Sequence, residues 1–235
     1  MTDDMQKTGP FAGIKIVDVT TVISGPCSTG ILGDQGADVI KVEPPTGDIM
    51  RARGKVAGFT PDFVSCNRGK RSVALDLKDA AAREVLWKLI EEADVFAQNF
   101  RPGVAERLGF SAEEALRRNP RLIYLSISGV DSSGPYTKKR VYDPVVQALS
   151  GLADMQSDPL TGRPKMTRSV VVDKITAVYA AQAVSAALYS RSATGQGQHV
   201  EVSMLDATLN FNWLTAWRPW PLSARKRMLP TRPMT

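Results

Sequence analysis

Asn67-Arg68-Gly69-Lys70-Arg71-Ser72-Val73-Ala74-Leu75-Asp76-Leu77-Lys78 packs three cations, Arg68, Lys70 and Arg71, into a glycine-containing turn and then alternates apolar with polar residues. Alternation is the period of a strand, so Val73, Leu75 and Leu77 face one side while Ala74, Asp76 and Lys78 face the other. A basic turn entering a strand is a place to hold a phosphorylated ligand, although a solvated turn reads the same way. A second apolar run, Val95-Phe96-Ala97, leads to Asn99-Phe100-Arg101-Pro102-Gly103, again an amide, an aromatic and a cation. Two such strand ends in one chain point towards a nucleotide-like ligand.

Upstream, Ile14–Thr20 reads as a first strand, about Pro26 to Gln35 as a helix closed by Gly36, and Asp38–Glu43 as a strand stopped by Pro44-Pro45. Downstream, the strand at Ser72–Lys78 is followed by a helix from about Ala80 to Ala93, with Val85, Leu86, Leu89 and Ile90 at helical spacing. Pro102 suits the first turn of a short helix, and Ser111-Ala112-Glu113-Glu114 reads as a capping box. Leu122–Ile127 is a strand, and a helix is expected from about Pro144 to Met155. Val170-Val171-Val172 looks strand-like before a long helix, and His199–Ser203 is a last strand. Alternating strands and helices predict an α/β fold, a mostly parallel sheet flanked by helices.

The 235 residues are 43% hydrophobic and 23% charged, which excludes a disordered chain outside its ends. The net charge is +6, but Arg218, Arg225, Lys226, Arg227 and Arg232 supply five of these charges after the last acid, Asp206, leaving +1 for residues 1–217. The basicity therefore gives no argument for nucleic acid. Cys27 and Cys66 lie far apart in sequence, and with His199 as the sole histidine neither a metal site nor a disulfide framework is expected. Both cysteines read as small buried apolar residues in a reducing compartment. The start of the chain, Met1-Thr2-Asp3-Asp4, has no apolar stretch of a signal peptide, and Ile175 to Tyr189 is too short to cross a bilayer. A cytoplasmic protein with no membrane partner is the expectation.

In a sheet of this kind ligands bind beyond the carboxyl ends of the strands. That places Thr21 to Ser24, Glu43, Lys78, Asn99 to Arg101 and Ser128-Gly129 near one another. Gly25 and Gly30 have the outer spacing of a dinucleotide fingerprint, but Cys27 occupies the middle position, where a side chain obstructs a pyrophosphate. Asp173 precedes an evident helix, so it reads first as an N-cap. A carboxylate so held also has the character of a nucleophile, and the two readings coexist.

Ile16-Val17-Asp18, the run Gly33 to Glu43, Asn67 to Lys78, Asn99 to Gly103, and Gly195-Gln196-Gly197-Gln198 together resemble the class III CoA-transferases, the CaiB/BaiF type that includes formyl-CoA transferase and the α-methylacyl-CoA racemases. The resemblance runs from about Gly13 to about Trp213. It implies a Rossmann-like large domain over residues 13–205, after an extension at 1–12 and before a linker helix and Pro/Arg-rich tail at 206–235. It also implies an interlocked homodimer and coenzyme A or acyl-CoA as substrate, with no metal. Carried over residue by residue, the CoA contacts fall on Ile23 and Ser24, on Lys70 and Arg71 with Leu75, Asp76, Leu77 and Lys78, on Asn99, Phe100 and Arg101, and on Arg107, Arg140, Val141, Tyr142 and Asp143. Pro44 departs from the pattern, since some members carry a basic residue there.

Asp173 falls at the family's nucleophile. The resemblance implies that its carboxylate attacks an acyl-CoA to give a mixed anhydride, which CoA thiolate converts to an aspartyl thioester before CoA passes to a carboxylic acid acceptor. Racemase chemistry is disfavoured because Tyr142 stands where that branch has a histidine, and tyrosine is a poor base near neutral pH. Family members are longer, with a small domain that this chain is expected to lack. A non-catalytic remnant that binds CoA or a full-length homologue is therefore the alternative function.

Overall fold

The computed structural model describes residues 8–51, 59–131, 135–137, 139 and 141–216. Six strands form one sheet: β1 (Lys15–Asp18), β2 (Asp38–Glu43), β3 (Arg71–Ala74), β4 (Val95–Gln98), β5 (Ile123–Ser128) and β6 (Gln198–Ser203). The spatial order is β3-β2-β1-β4-β5-β6 with every pairing parallel. The order reverses between β1 and β4, which opens the ligand crevice of a doubly wound sheet beyond their carboxyl ends.

Nine α-helices are described: α1 (Ser24–Asp34), α2 (Pro61–Asn67), α3 (Ala80–Glu91), α4 (Val104–Leu108), α5 (Ala112–Arg118), α6 (Asp143–Leu149), α7 (Leu152–Met155), α8 (Val171–Thr194) and α9 (Met204–Ala216). The four inner strands are largely buried on both faces, as parallel sheets require, while the edge strands β3 and β6 are mostly exposed. One face packs Ile16, Val39, Val95, Ile123 and Leu125 under α1 and α8, with Leu32, Ala180, Val184 and Leu188. The other packs Val17, Val42, Phe96 and Tyr124 under α3, with Leu86, Trp87 and Ile90. With 24 residues, α8 is longer than the apolar stretch read from sequence and has the length of a membrane span, but its buried side lies against α1 and the sheet.

The strand expected over Ser72–Lys78 ends at Ala74. Leu75 N still donates to Glu43 O at 2.8 Å, but the chain then turns: Asp76 Oδ1 accepts from Lys78 N at 3.0 Å, and Asp79 N donates to Asp76 O at 2.9 Å. Asp79 in turn caps α3. Val73, Leu75 and Leu77 do share a side, all against the α3 cluster. The helix expected from Pro144 to Met155 breaks into α6 and α7 at Gly151, whose φ of 77° suits glycine. The capping box is present, with Ser111 Oγ accepting from Glu114 N.

The three valines at 170–172 do not form a strand. Val170 is the N-cap residue of α8 and offers no side-chain cap; Asp143 Oδ2, reaching across from α6, accepts the N–H of Asp173 at 3.0 Å. That bond satisfies one of the helix's otherwise unpaired first-turn donors, so a tertiary contact overrides the β-propensity of the valines. Asp173 is accordingly not the N-cap but a first-turn residue.

Candidate functional site

The β1–α1 loop turns sharply beyond Asp18. Val22 has φ 71°, a left-handed conformation that a β-branched residue adopts only at a cost of about 1–3 kcal/mol. Asn99, just past β4, braces this loop: its Oδ1 accepts from Thr21 N at 2.9 Å and its Nδ2 donates to Thr21 O at 2.8 Å. The two strands flanking the crevice are thus stitched together by the amide singled out from sequence. Ile23 and Ser24 follow directly, at the start of α1.

Gly25 and Gly30 are explained by packing. A Cβ on Gly25 would lie 2.3 Å from the Thr20 side chain, and one on Gly30 2.9 Å from Cys66 O. The fingerprint spacing therefore reports close approach of α1 to β1 and α2.

Asp173 sits where three helix beginnings meet. Its carboxylate is buried, and Ser24 at the start of α1 lies beside it, where its hydroxyl and N–H favour the charged form. Burial raises its pKa to about 6, helped by the neighbouring charge of Asp143 and opposed by the Ser24 donors. The helix N-terminus therefore does not keep this acid at an ordinary value, contrary to the simple capping picture. Asp143 is itself buried, its Oδ1 taking Nε2 of Gln147 at 2.5 Å, while Gln147 Oε1 accepts from Thr167 N at 2.9 Å. Asp143 faces Asp173 and Gln147, an arrangement that orients the site rather than presenting a carboxylate to a cofactor. Gln147 was not singled out from sequence, and nothing local marks it.

The cations expected to hold phosphate separate into two groups. Lys70 is buried, its Nζ donating to Asp18 Oδ2 (2.9 Å), Pro26 O (2.7 Å), Thr29 Oγ1 (2.8 Å) and Asn67 Oδ1 (3.0 Å). This corrects its assignment as a phosphate contact: all its donors are spent on protein oxygens. Burial lowers its pKa against the pull of Asp18. For Asp18 burial alone would raise the pKa, but Lys70, Lys41 and the Thr20 and Thr29 hydroxyls together hold it down at about 2. Arg71 is exposed and paired with Asp38, and Arg68 with Asp34.

Lys78, Arg101 and Arg107, in contrast, are exposed and have no acid partner among the described residues. Lys78 follows the turn beyond β3, where Arg83 Nη1 fixes the Leu77 and Lys78 carbonyls at 3.0 and 2.9 Å. Leu75, Leu77 and Phe100 lie partly exposed on the same apolar cluster, giving a half-covered wall between these cations. Asp76, exposed, serves the turn. Val141 packs against Gly129 at the end of β5, where a Cβ would meet Val141 Cγ2 at 1.9 Å, and Tyr142 beside it is exposed. Arg140 lies outside the described residues. His199 is exposed on β6 and bonds Ser126 Oγ at 2.8 Å, away from Asp173.

The family model for CoA-transferase family III matches residues 11–230. The chain belongs to CoA-transferase family III. The match continues past Trp213, where the resemblance read from sequence ended. The chain is 42% identical over 212 residues to the acetyl-CoA:oxalate CoA-transferase of Acetobacter aceti, covering 89% of this chain and 54% of that one. It is 36% identical to the succinate–glutarate CoA-transferase of Agrobacterium fabrum, covering 93% and 58%. Among solved structures, a CaiB/BaiF family protein from Brucella suis superposes with a TM-score of 0.84 at 34% identity, over 90% of this chain and 59% of that one. The chain thus spans little more than half the length of these family III relatives, and what it contains is their Rossmann-like large domain.

The sequence also missed one pairing. Cys27, half-buried on α1, and Cys66, buried on α2, are not isolated: α1 and α2 pack closely at Gly30 and Cys66, and the two thiols perturb each other's ionisation.

Proposed function

We propose that this chain carries the nucleophilic half of a CoA-transferase site, with Asp173 attacking the thioester carbonyl of a bound acyl-CoA. The observation that carries this reading is the Asp173 carboxylate itself, buried at the start of α8 beside Asp143 and Ser24, next to the crevice between β1 and β4. With a pKa of about 6 it is mostly ionised at neutral pH, yet more basic and more nucleophilic than an exposed aspartate. Lys78, Arg101 and Arg107 receive the phosphates, Phe100, Leu75 and Leu77 line an apolar wall, and the main chain of Ile23 and Ser24 borders the reacting end.

An Asp173 oxygen bonds to the acyl carbon and the C–S bond breaks, giving an acyl-aspartyl anhydride and CoA thiolate. The thiolate attacks the Asp173 carbonyl, releasing the donor carboxylate and leaving an aspartyl thioester. The acceptor carboxylate attacks that thioester, and the returning thiolate takes the acceptor acyl group, restoring Asp173. Covalent catalysis of this kind splits one difficult exchange into easier steps. The relatives' names contain oxalate, succinate and glutarate, so a short dicarboxylate is the acceptor class we propose. The homodimer and the cytoplasmic location belong to the same reading.

Incubating the protein with acetyl-CoA or succinyl-CoA and hydroxylamine tests it. Either acylated form of Asp173 yields a hydroxamate at that residue, located by peptide mass spectrometry. Measurable CoA binding with an unmodified Asp173 overturns the catalytic reading and favours a binding-only chain.

A further inference from the structure

The fold presses Cys27 and Cys66 into one contact from two sides. Gly30, one turn beyond Cys27 on α1, lets the Cys66 carbonyl approach so closely that an added Cβ would stand 2.9 Å from its oxygen. Lys70 Nζ donates both to Pro26 O at 2.7 Å and to Asn67 Oδ1 at 3.0 Å, the residues adjoining the two cysteines. The backbones carrying the thiols are therefore clamped together, and the two thiols are close enough to perturb each other's ionisation. One is partly open to solvent and the other is closed off.

We propose that Cys27 and Cys66 form a dithiol that a hydroperoxide oxidises to an intramolecular disulfide between α1 and α2. The two cysteines have different parts. The neighbouring Cys66 thiol comes first in lowering the Cys27 pKa, and the nearby Lys70, Arg68 and Lys174 charges add to it. Together they outweigh partial burial and bring Cys27 to about 7. Half of it is then thiolate at neutral pH, the form that reacts with peroxide. Its sulfur takes the terminal peroxide oxygen, the O–O bond breaks, and the departing oxygen leaves as alcohol, or as water from hydrogen peroxide, after gaining a proton. Cys27 is now a sulfenic acid.

Cys66, whose pKa is raised by the Cys27 thiolate and by burial, loses that repulsion once Cys27 is no longer an anion. Its sulfur attacks the sulfenic sulfur, the S–O bond breaks, and the hydroxyl leaves with the Cys66 proton as water. Two thiols lose two electrons and the peroxide gains them. The bond ties down the first turns of α1, the helix whose Ser24 lies beside Asp173.

The test needs no acyl-CoA, so it stands or falls separately from the transferase reading. The reduced chain is treated with one equivalent of hydrogen peroxide at neutral pH, quenched with iodoacetamide, unfolded and digested with trypsin. The expected product has no disulfide between chains and is lighter by two hydrogens, with the tryptic peptides 16–41 and 56–68 of one chain joined until reductant is added. In Cys66→Ser a dimedone-reactive sulfenic acid accumulates at Cys27, and the pH midpoint of Cys27 alkylation moves up from about 7. In Cys27→Ser the remaining thiol stays fully alkylatable. Oxidation of Cys27 to sulfinic acid with Cys66 still free in the unsubstituted chain, or a disulfide found only between two chains, overturns the proposal.

Discussion

Lys70 and Lys78 flank the same short strand, one just before β3 and one beyond the turn that ends it, and the fold treats them in opposite ways. Lys70 is sealed under α1 with four oxygens around its ammonium; Lys78 is exposed with no acid partner among the described residues. Lys41 belongs with Lys70, buried and paired with Asp48 at 3.1 Å; Arg101 and Arg107 belong with Lys78. A buried charge persists only where partners replace its hydration. A free, exposed one can trade water for a phosphate at little loss, which is what a CoA contact needs. The acids divide too. Asp18, buried among ammonium groups and hydroxyls, is held at about 2, whereas Asp173, buried beside a second acid, rises to about 6.

The largest effect expected on stability is therefore at Lys70. Lys70→Met leaves buried Asp18 without its bonded ammonium, with only the more distant Lys41 and hydroxyl donors, and should cost about 3–5 kcal/mol in urea unfolding. Near-native stability with lost CoA binding would break the comparison. Lys78→Ala, Arg101→Ala and Arg107→Ala should each weaken CoA binding by about 1.5–3 kcal/mol, the range for a hydrogen bond to a charged group, and each changes stability by less than about 0.5 kcal/mol. Calorimetric titration with CoA and thermal unfolding on the same samples separate the two readouts.

The acids give the next test. Hydroxylamine trapping at Asp173 should rise with pH through about 6, as the carboxylate forms. Asp143→Asn removes the like charge and moves that midpoint down, while Ser24→Ala removes the opposing donor and moves it up. In stability the two acids have opposite signs. Asp18, lowered from 3.8 to about 2, contributes stability that is present above pH 3.8 and lost as pH falls through about 2. Asp173, raised from 3.8 to about 6, lets the folded state bind the extra proton, so its contribution falls as pH climbs between those values.

The parallel α/β sheet was legible because each strand leaves its own local mark, an apolar run closed by a breaker, as at Asp38–Glu43 before Pro44-Pro45. Asn99 was legible as a candidate, because strand ends face the crevice. Lys70 was not, since a basic turn has the same letters whether its charges face solvent or an aspartate on β1. The start of α8 was misread for a related reason: its first-turn donor is satisfied by Asp143, far away in sequence, and no residue at 170–172 records that. Gln147 and the Cys27–Cys66 contact are of the same kind, made by helix packing and invisible to local pattern.

Arg71 is the case between the two sets, and it gives the smallest expected effect. It is exposed like Lys78 but paired like Lys70, its guanidinium spanning both carboxylate oxygens of Asp38 across the β2–β3 edge. If pairing alone set the role of a cation, Arg71→Ala would be as damaging as Lys70→Met. If exposure alone did, it would leave stability untouched and cost CoA affinity. Solvent screens the pair and water rehydrates Asp38 when the arginine is gone, so the expected loss is below about 1 kcal/mol. It should shrink further in high salt, whereas the Lys70→Met penalty, shielded from ions, should not. With its charge already paired to Asp38, Arg71 should also contribute less to CoA binding than Lys78. A tenfold loss of CoA affinity in Arg71→Ala would show that the Asp38 pair opens to admit phosphate, and Arg71 would then join the free cations.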